Sequence, residues 1–248
     1  MPLYSTHNLH LKLYNPIDKL NKRAIILLKD KEVMKMKRSV YSLVLMDDVV
    51  EEIDRLAYSM NTSRSNLINQ ILAEKVSCVT PEKRMKSIFE QIENLMSDSC
   101  YQIQSQQSDA MMSIKSPVRY KYRPTVRYSV ELYRNPSDSL GKLKVSFRTQ
   151  SQQLINAVTD FFILWSQIEK KHIGRYFING IPFTIENGRY TRKFTAVSIS
   201  EKNVGAAIAR YIQVMDKCLK LCFSDKDNVA QEIDGIYSSY LKSSSLII

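Results

Sequence analysis

Residues 38 to 76 read RSVYSLVLMDDVVEEIDRLAYSMNTSRSNLINQILAEKV, and the hydrophobic period changes inside this stretch with no loop between. Leu43 and Leu45 alternate with Ser42 and Val44, the period-two pattern of a strand with one buried face. Val49, Val50, Ile53, Leu56 and Ala57 then recur at helical spacing. This helix opens on Asp47 and Asp48, which complement its dipole. Asn61 suits the left-handed conformation that ends a helix, and Ser63 is a good N-cap for the next. The second helix carries Leu67, Ile68, Ile71, Leu72 and Val76 on one face. A lone strand followed by two short helices closes no core, and the strand edge stays unpaired unless a second chain supplies the same strand.

The strand Val40 to Leu45, the helix opening DDVVEEIDRLA (47 to 57) and the turn NTSRSNLI (61 to 68) together resemble the ribbon-helix-helix DNA-binding family. The resemblance covers about 40 of 248 residues. It implies a homodimer whose two strands pair into an antiparallel ribbon that enters the major groove of double-stranded DNA. On that basis Val40, Ser42 and Val44 face the bases, with Arg38 beside them, while Tyr41, Leu43 and Leu45 form the dimer core. Lys35, Lys37, Ser63, Arg64 and Ser65 are the corresponding phosphate contacts. The free N–H groups after Ser63, with the Ser63 and Ser65 hydroxyls, suit a phosphate that sets register rather than sequence. The chain departs from the family where it puts Val at two of the three outward strand positions. Family members often carry Arg, Lys, Asn or Gln there, which read base edges through hydrogen bonds. Val touches only a thymine methyl, so readout here is weak, favours A·T-rich sites or falls to Arg38 and Lys37.

The net charge of +11 is unevenly spread. Residues 1 to 38 carry nine Lys/Arg against three acids, and residues 115 to 148 carry nine against two. A basic arm joined to a DNA-entering strand adds phosphate contacts and deepens salt dependence; the plain alternative for either stretch is a solvated face. Arg119-Tyr-Lys-Tyr-Arg123 interleaves cations with aromatics, which suits base stacking, or an amphipathic strand with its tyrosines turned inward.

Four cysteines, Cys78, Cys100, Cys218 and Cys222, have no scaffold spacing, and the last two fall on or beside an apolar stripe. His7 and His10 lack ligand partners at metal-site spacing. No phosphate-binding glycine loop, zinc-protease motif or nucleophile elbow is present. The longest apolar run, Ala24 to Leu28, is too short to span a bilayer. These features predict a cytoplasmic protein with no membrane association, no enzymatic activity, no metal and no cofactor.

The fold expected is α+β. A basic arm (1–37) leads to the ribbon-helix-helix unit (38–79), then to a helix and linker (80–116) in which Thr80 and Pro81 start an amphipathic helix, expected to pack on the dimer or its partner copy. A C-terminal domain (117–223) follows in the order ββαββα, with an antiparallel four-stranded sheet and two long helices. Its alternating strands flank the turn at 135 to 141 and the Asn187-Gly188 hairpin, and Ser151 and Gly174 bound the first long helix. A tail (224–248) closes the chain with a short helix from Asn228 to Leu241. Function follows as a dimeric or higher-oligomeric sequence-specific DNA-binding protein, most simply a transcriptional regulator with a C-terminal oligomerisation or effector domain. A plasmid-partition, relaxosome or DNA-organising nucleoprotein, or an antitoxin, are the alternatives.

Overall fold

A computed structural model describes residues 40–97, 100–105, 108–120, 124–136, 139–195, 203–224, 227–244 and 248. Residues 1–39, and with them the arm and Lys35, Lys37 and Arg38, lie outside the described residues. The described chain is α+β, with six α-helices and one six-stranded antiparallel sheet.

Helix α1 (Asp47–Ser59) and helix α2 (Arg64–Lys75) form an αα-hairpin. Asn61 has φ 52°, the left-handed conformation expected of it, and the Thr62 N–H reaches back to the Ala57 carbonyl at 2.9 Å. Ser63 caps α2 by accepting from the Asn66 N–H at 3.3 Å. Helix α3 (Pro81–Met96) starts as predicted, with Thr80 accepting from the Lys83 N–H and Pro81 in the first turn.

The sheet consists of β1 (Gln102–Ser105), β2 (Met111–Pro117), β3 (Thr125–Leu132), β4 (Ser139–Phe147), β5 (Phe183–Glu186) and β6 (Arg189–Thr195), in the order β1-β2-β3-β4-β6-β5. Every neighbouring pair is antiparallel. Asn187 and Gly188 both take positive φ, 38° and 71°, matching the twist that a two-residue hairpin requires. Helix α4 (Gln152–Ile173) buries Leu154, Val158, Phe161, Phe162, Trp165 and Ile168, an apolar face at helical spacing. It ends in a 3₁₀ turn at Gly174–Tyr176, where Gly174 stays right-handed rather than serving as a left-handed cap. Helix α5 (Val204–Cys222) and helix α6 (Val229–Ser243) complete the chain.

Three boundaries differ from those the sequence suggests. The stretch expected to be a linker holds β1 and most of β2, so the sheet has six strands instead of four. Its Ser and Gln residues hide the strands because β1 is an edge and one face of β2 is polar. Second, α3 packs on α5 rather than on a dimer: a Cβ on Gly205 would stand 2.4 Å from the Ile88 carbonyl oxygen, so only glycine permits this approach. Third, the tail contributes Ile233, Tyr237, Tyr240 and Ile248 to the core. One apolar core thus joins α3, the sheet and α4 to α6, and the element order is αββββαββαα from Pro81 onward.

A fragment of residues 117–223 lacks α3, β1, most of β2 and α6, so it should fail to fold. Residues 80–248 should unfold cooperatively, as followed by Trp165 fluorescence. A cooperative transition in the shorter fragment would contradict this account of the core. Gly205→Ala should destabilise the chain by about 1–3 kcal/mol through overpacking against Ile88, read from denaturant midpoints.

Candidate nucleic-acid interface

Residues 40–46 run directly into α1 as extended chain, and no described strand pairs with them. The strand expected at Val40 to Leu45 is therefore absent as a hydrogen-bonded element in one copy of the chain, because a ladder needs a second strand. Exposure along the segment nevertheless alternates. Val40 and Val44 are fully exposed, whereas Tyr41, Leu43 and Leu45 are 82, 60 and 40% exposed, falling towards the helix. The set assigned to the inner face is thus the less exposed one, yet no described residue covers it.

The helical hairpin is open in the same way. Its buried apolar residues are Ala57 and Leu67, and neither belongs to the main core. Met46, Leu56, Ile71, Leu72 and Val76 remain exposed. Val49, Ile53 and Leu56 line an open groove of about 600 Å³ on α1, rimmed by Asp48, Glu52 and Arg55. A hairpin this short, with so much apolar surface in water, has little to hold it in isolation.

Of the residues assigned to phosphate, Ser63 keeps its lone-pair contact to its own helix, and Ser65 is exposed in the first turn. The Arg64 guanidinium is engaged elsewhere. Its Nε donates to Asp54 Oδ1 at 2.5 Å and its terminal nitrogen donates to Asp54 Oδ2. This bidentate pair ties the start of α2 to the middle of α1. Hydrogen bonding from Arg64 holds the Asp54 carboxyl below its ordinary range. Ser42 is exposed and makes no side-chain bond among the described residues.

The C-terminal core contains chemistry that periodicity did not reveal. Glu169 and Arg192 are both fully buried, with Arg192 Nε 3.2 Å from Glu169 Oε1. Tyr190 and Tyr211 donate their hydroxyls to the same carboxylate at 2.7 and 3.0 Å, and Trp165 donates to the Tyr211 oxygen at 2.9 Å. The Arg192 Nε lies within ion-pair distance of Glu169 but is not aligned for a hydrogen bond, and its two terminal nitrogens have no acceptor among the described residues. Burial alone would lower the guanidinium's pKa; the Glu169 carboxylate together with the Tyr211, Tyr190 and Tyr237 side chains outweighs that, and the pKa is raised. The guanidinium also lies over the Tyr211 and Phe177 rings. Burial pushes the Tyr190 and Tyr211 hydroxyls well above the usual phenol range, so both act as donors.

Asp216 forms a second buried hub. It accepts from Tyr101 at 3.0 Å, Tyr128 at 3.0 Å, Ser116 at 3.1 Å and Lys220 at 2.6 Å. Lys220 also reaches the Ser116 hydroxyl at 2.7 Å. A serine beside a lysine can make a nucleophile. Here Ser116 is fully buried and donates to Asp216, and the lysine is paired with the same carboxylate. The signal for both hubs was in the sequence: Glu169 and Asp216 interrupt apolar helix faces, and Arg192 sits at an inward strand position between Tyr190 and Phe194.

Tyr120, from the basic-aromatic stretch, packs on the core against Phe223 at a ring separation of 5.3 Å, while residues 121–123 lie outside the described residues. All four cysteines are free; burial pushes the Cys218 thiol up to about 12 and Cys222 up to about 11. Among the described residues no cluster of His, Cys, Asp and Glu is placed to hold a metal, and no helix is long and apolar enough to cross a membrane. Comparison with protein-family models, curated proteins and solved structures yields no match.

Glu169→Gln retains the shape of the hub but leaves Arg192 charged, buried and uncompensated. It should cost about 3–5 kcal/mol in urea unfolding. Pairing it with Arg192→Met should recover a large part of that loss, and no recovery would show that the charge is not the cause. The Asp54 carboxyl should titrate below an ordinary aspartate by NMR. Because its folded pKa is depressed, its contribution to the hairpin is present above the unfolded pKa and is lost as pH falls through the folded one; exposure keeps that contribution small.

Proposed function

We propose that the chain is a dimeric DNA-binding protein in which two copies of residues 40–45 pair into an antiparallel ribbon over two αα-hairpins. The reading rests on one observation: an extended segment with graded exposure runs into a helical hairpin whose apolar surface is covered by nothing among the described residues. A second copy would satisfy both deficits at once. It would pair the backbone groups of 40–45 and bury Tyr41, Leu43 and Leu45 on the faces of α1 and α2. Val40, Ser42 and Val44 would then stand outward, with the first turn of α2 and its Ser63 and Ser65 at the phosphates.

On this reading Arg64 serves the hairpin through Asp54 and is not a primary phosphate contact. Base readout is limited, since valines offer only apolar contact and Ser42 the sole hydrogen-bonding side chain. The basic arm supplies much of the affinity. Transcriptional regulation is the role we favour, with binding rather than catalysis as the activity. The two polar hubs support this second point, since each of their carboxylates is spent on internal donors.

Sedimentation should show a dimer at low micromolar concentration, and Leu43→Pro, which removes a ladder donor, should abolish it. Selection from random duplexes should return a two-half-site motif whose preference changes when Val40, Ser42 and Val44 are replaced together. A folded monomer with an intact hairpin, or an unchanged motif, would overturn the ribbon reading.

A further inference from the structure

We infer that the helix-free face of the C-terminal sheet is a second binding surface, for the phosphate backbone of a nucleic-acid duplex. Strand register separates the two faces cleanly. The row Ile114, Tyr128, Val145 and Tyr190 and the row Met112, Val130, Leu143 and Arg192 point into the core, towards α3 to α6. The alternate positions form the opposite face, which no described helix covers.

That face is strongly basic. Its cations are Lys115, Arg127, Lys142, Lys144, Arg189 and Lys193, on four adjacent strands. The acids on the same face are Glu131 and Glu186, and Glu131 is paired with Lys142 at 2.8 Å. The other five cations have no carboxylate partner among the described residues. Arg127, Arg189 and Lys193 are exposed, and Lys115 and Lys144 are half-buried.

Two features argue against an ordinary solvated face. Lys115 lies directly opposite Arg127 with no acid opposite either, whereas Lys142 stands between Lys193 and its partner Glu131, and Arg189 faces Glu186. Like charges at opposed positions destabilise a sheet, so the arrangement costs stability that a polyanion would restore. Between the cations stand small hydroxyl residues: Ser129 and Thr191 flank Lys144, and Ser146 lies between Arg127 and Arg189. Such side chains contact phosphate oxygens and leave the surface flat. From Lys115 to Arg189 the row crosses three strand spacings, roughly 14 Å, wide enough to meet several phosphates.

The duplex is chosen over a single strand by what the face lacks. Proteins that hold single strands stack bases on aromatic rings. Here Tyr128, Phe147, Phe183, Tyr190 and Phe194 all take the inward register, and the outward face has no row of rings within its strands; Tyr133, half-buried just past the end of β3 and near Lys142, is a single ring at its margin. The surface is therefore built for backbone charge alone, without base readout. It does not depend on the ribbon reading, since it is made entirely of sheet residues.

The test uses the full chain and a mixed-sequence DNA duplex, titrated across salt concentrations. Replacing Arg127, Lys144, Arg189 and Lys193 together by Ser should weaken binding roughly tenfold or more, and should flatten the salt slope by about 0.9 for each phosphate no longer neutralised. The inward rows are untouched, so Trp165 fluorescence should be unchanged. Exchanging Arg for Lys and Lys for Arg at these four positions should preserve affinity, because charge and not geometry is read. Lysine acetylation followed by mass spectrometry provides a check without mutation: Lys115, Lys144 and Lys193 should be protected by the duplex in the native chain. Unchanged slope and unchanged lysine reactivity would overturn the proposal, as would preference for a single-stranded oligonucleotide. A parallel variant with Lys35, Lys37 and Arg38 replaced by Ser separates the two readings. Binding abolished only in that variant defeats the sheet surface, and binding abolished only in the sheet variant supports it while counting against the N-terminal arm.

Discussion

Asp216 holds the C-terminal architecture together. From the inward face of α5 it accepts hydrogen bonds from the residue preceding β1, from β2 and from β3, and it pairs with Lys220 one turn along its own helix. A buried carboxylate without such donors would be prohibitively desolvated; with four it orients α5 across the sheet. Helix α3 then packs on α5 through the space at Gly205, and α6 packs on α5 and α4. Glu169 plays the corresponding part for α4, through Tyr190 of β6 and Tyr211 of α5. Each carboxylate gathers donors from different elements, which favours one arrangement of helices over alternatives that a purely apolar interface would tolerate.

With every helix from α3 to α6 committed to one face of the sheet, no helix among the described residues covers the other face. Antiparallel sheets accept this asymmetry readily. What is unusual is the charge it displays. Placing like charges opposite each other on neighbouring strands works against the sheet, while the core beneath is held by two polar hubs and a continuous apolar cluster. A rigid platform of this kind presents its cations at strand spacing.

The N-terminal segment follows the opposite logic. Its helices are well formed and well capped, and Arg64 and Asp54 clip them together, but the hairpin buries few apolar residues and its extended lead-in pairs with nothing described. Local order is complete there while tertiary order is not. The two parts thus differ in kind: among the described residues the hairpin leaves its apolar surface uncovered, while the C-terminal sheet is packed on one face and carries its cations on the other.

Periodicity alone determined most of the elements. The helix starts at Asp47, Ser63 and Thr80, the left-handed Asn61, the Asn187-Gly188 hairpin and the inner faces of α4 and α5 are local consequences of capping, turn chemistry and apolar spacing, so they are legible in any single chain. The strands at 102–105 and 111–117 were not, because an edge strand and a strand with one polar face carry too little alternation in a Ser/Gln-rich segment. The pairing order, the inclusion of α3 and α6 in one core and the union of Glu169 with Arg192 depend on contacts between residues distant in sequence. A charged residue on an apolar face marks a buried partner without saying which. Likewise the basic character of 115–148 was visible in the sequence, but only strand register could show that Lys115, Arg127, Lys144 and, from beyond that stretch, Arg189 and Lys193 share one face. Alternation assigns each residue to a side of its own strand, and only the assembled sheet makes those sides a surface.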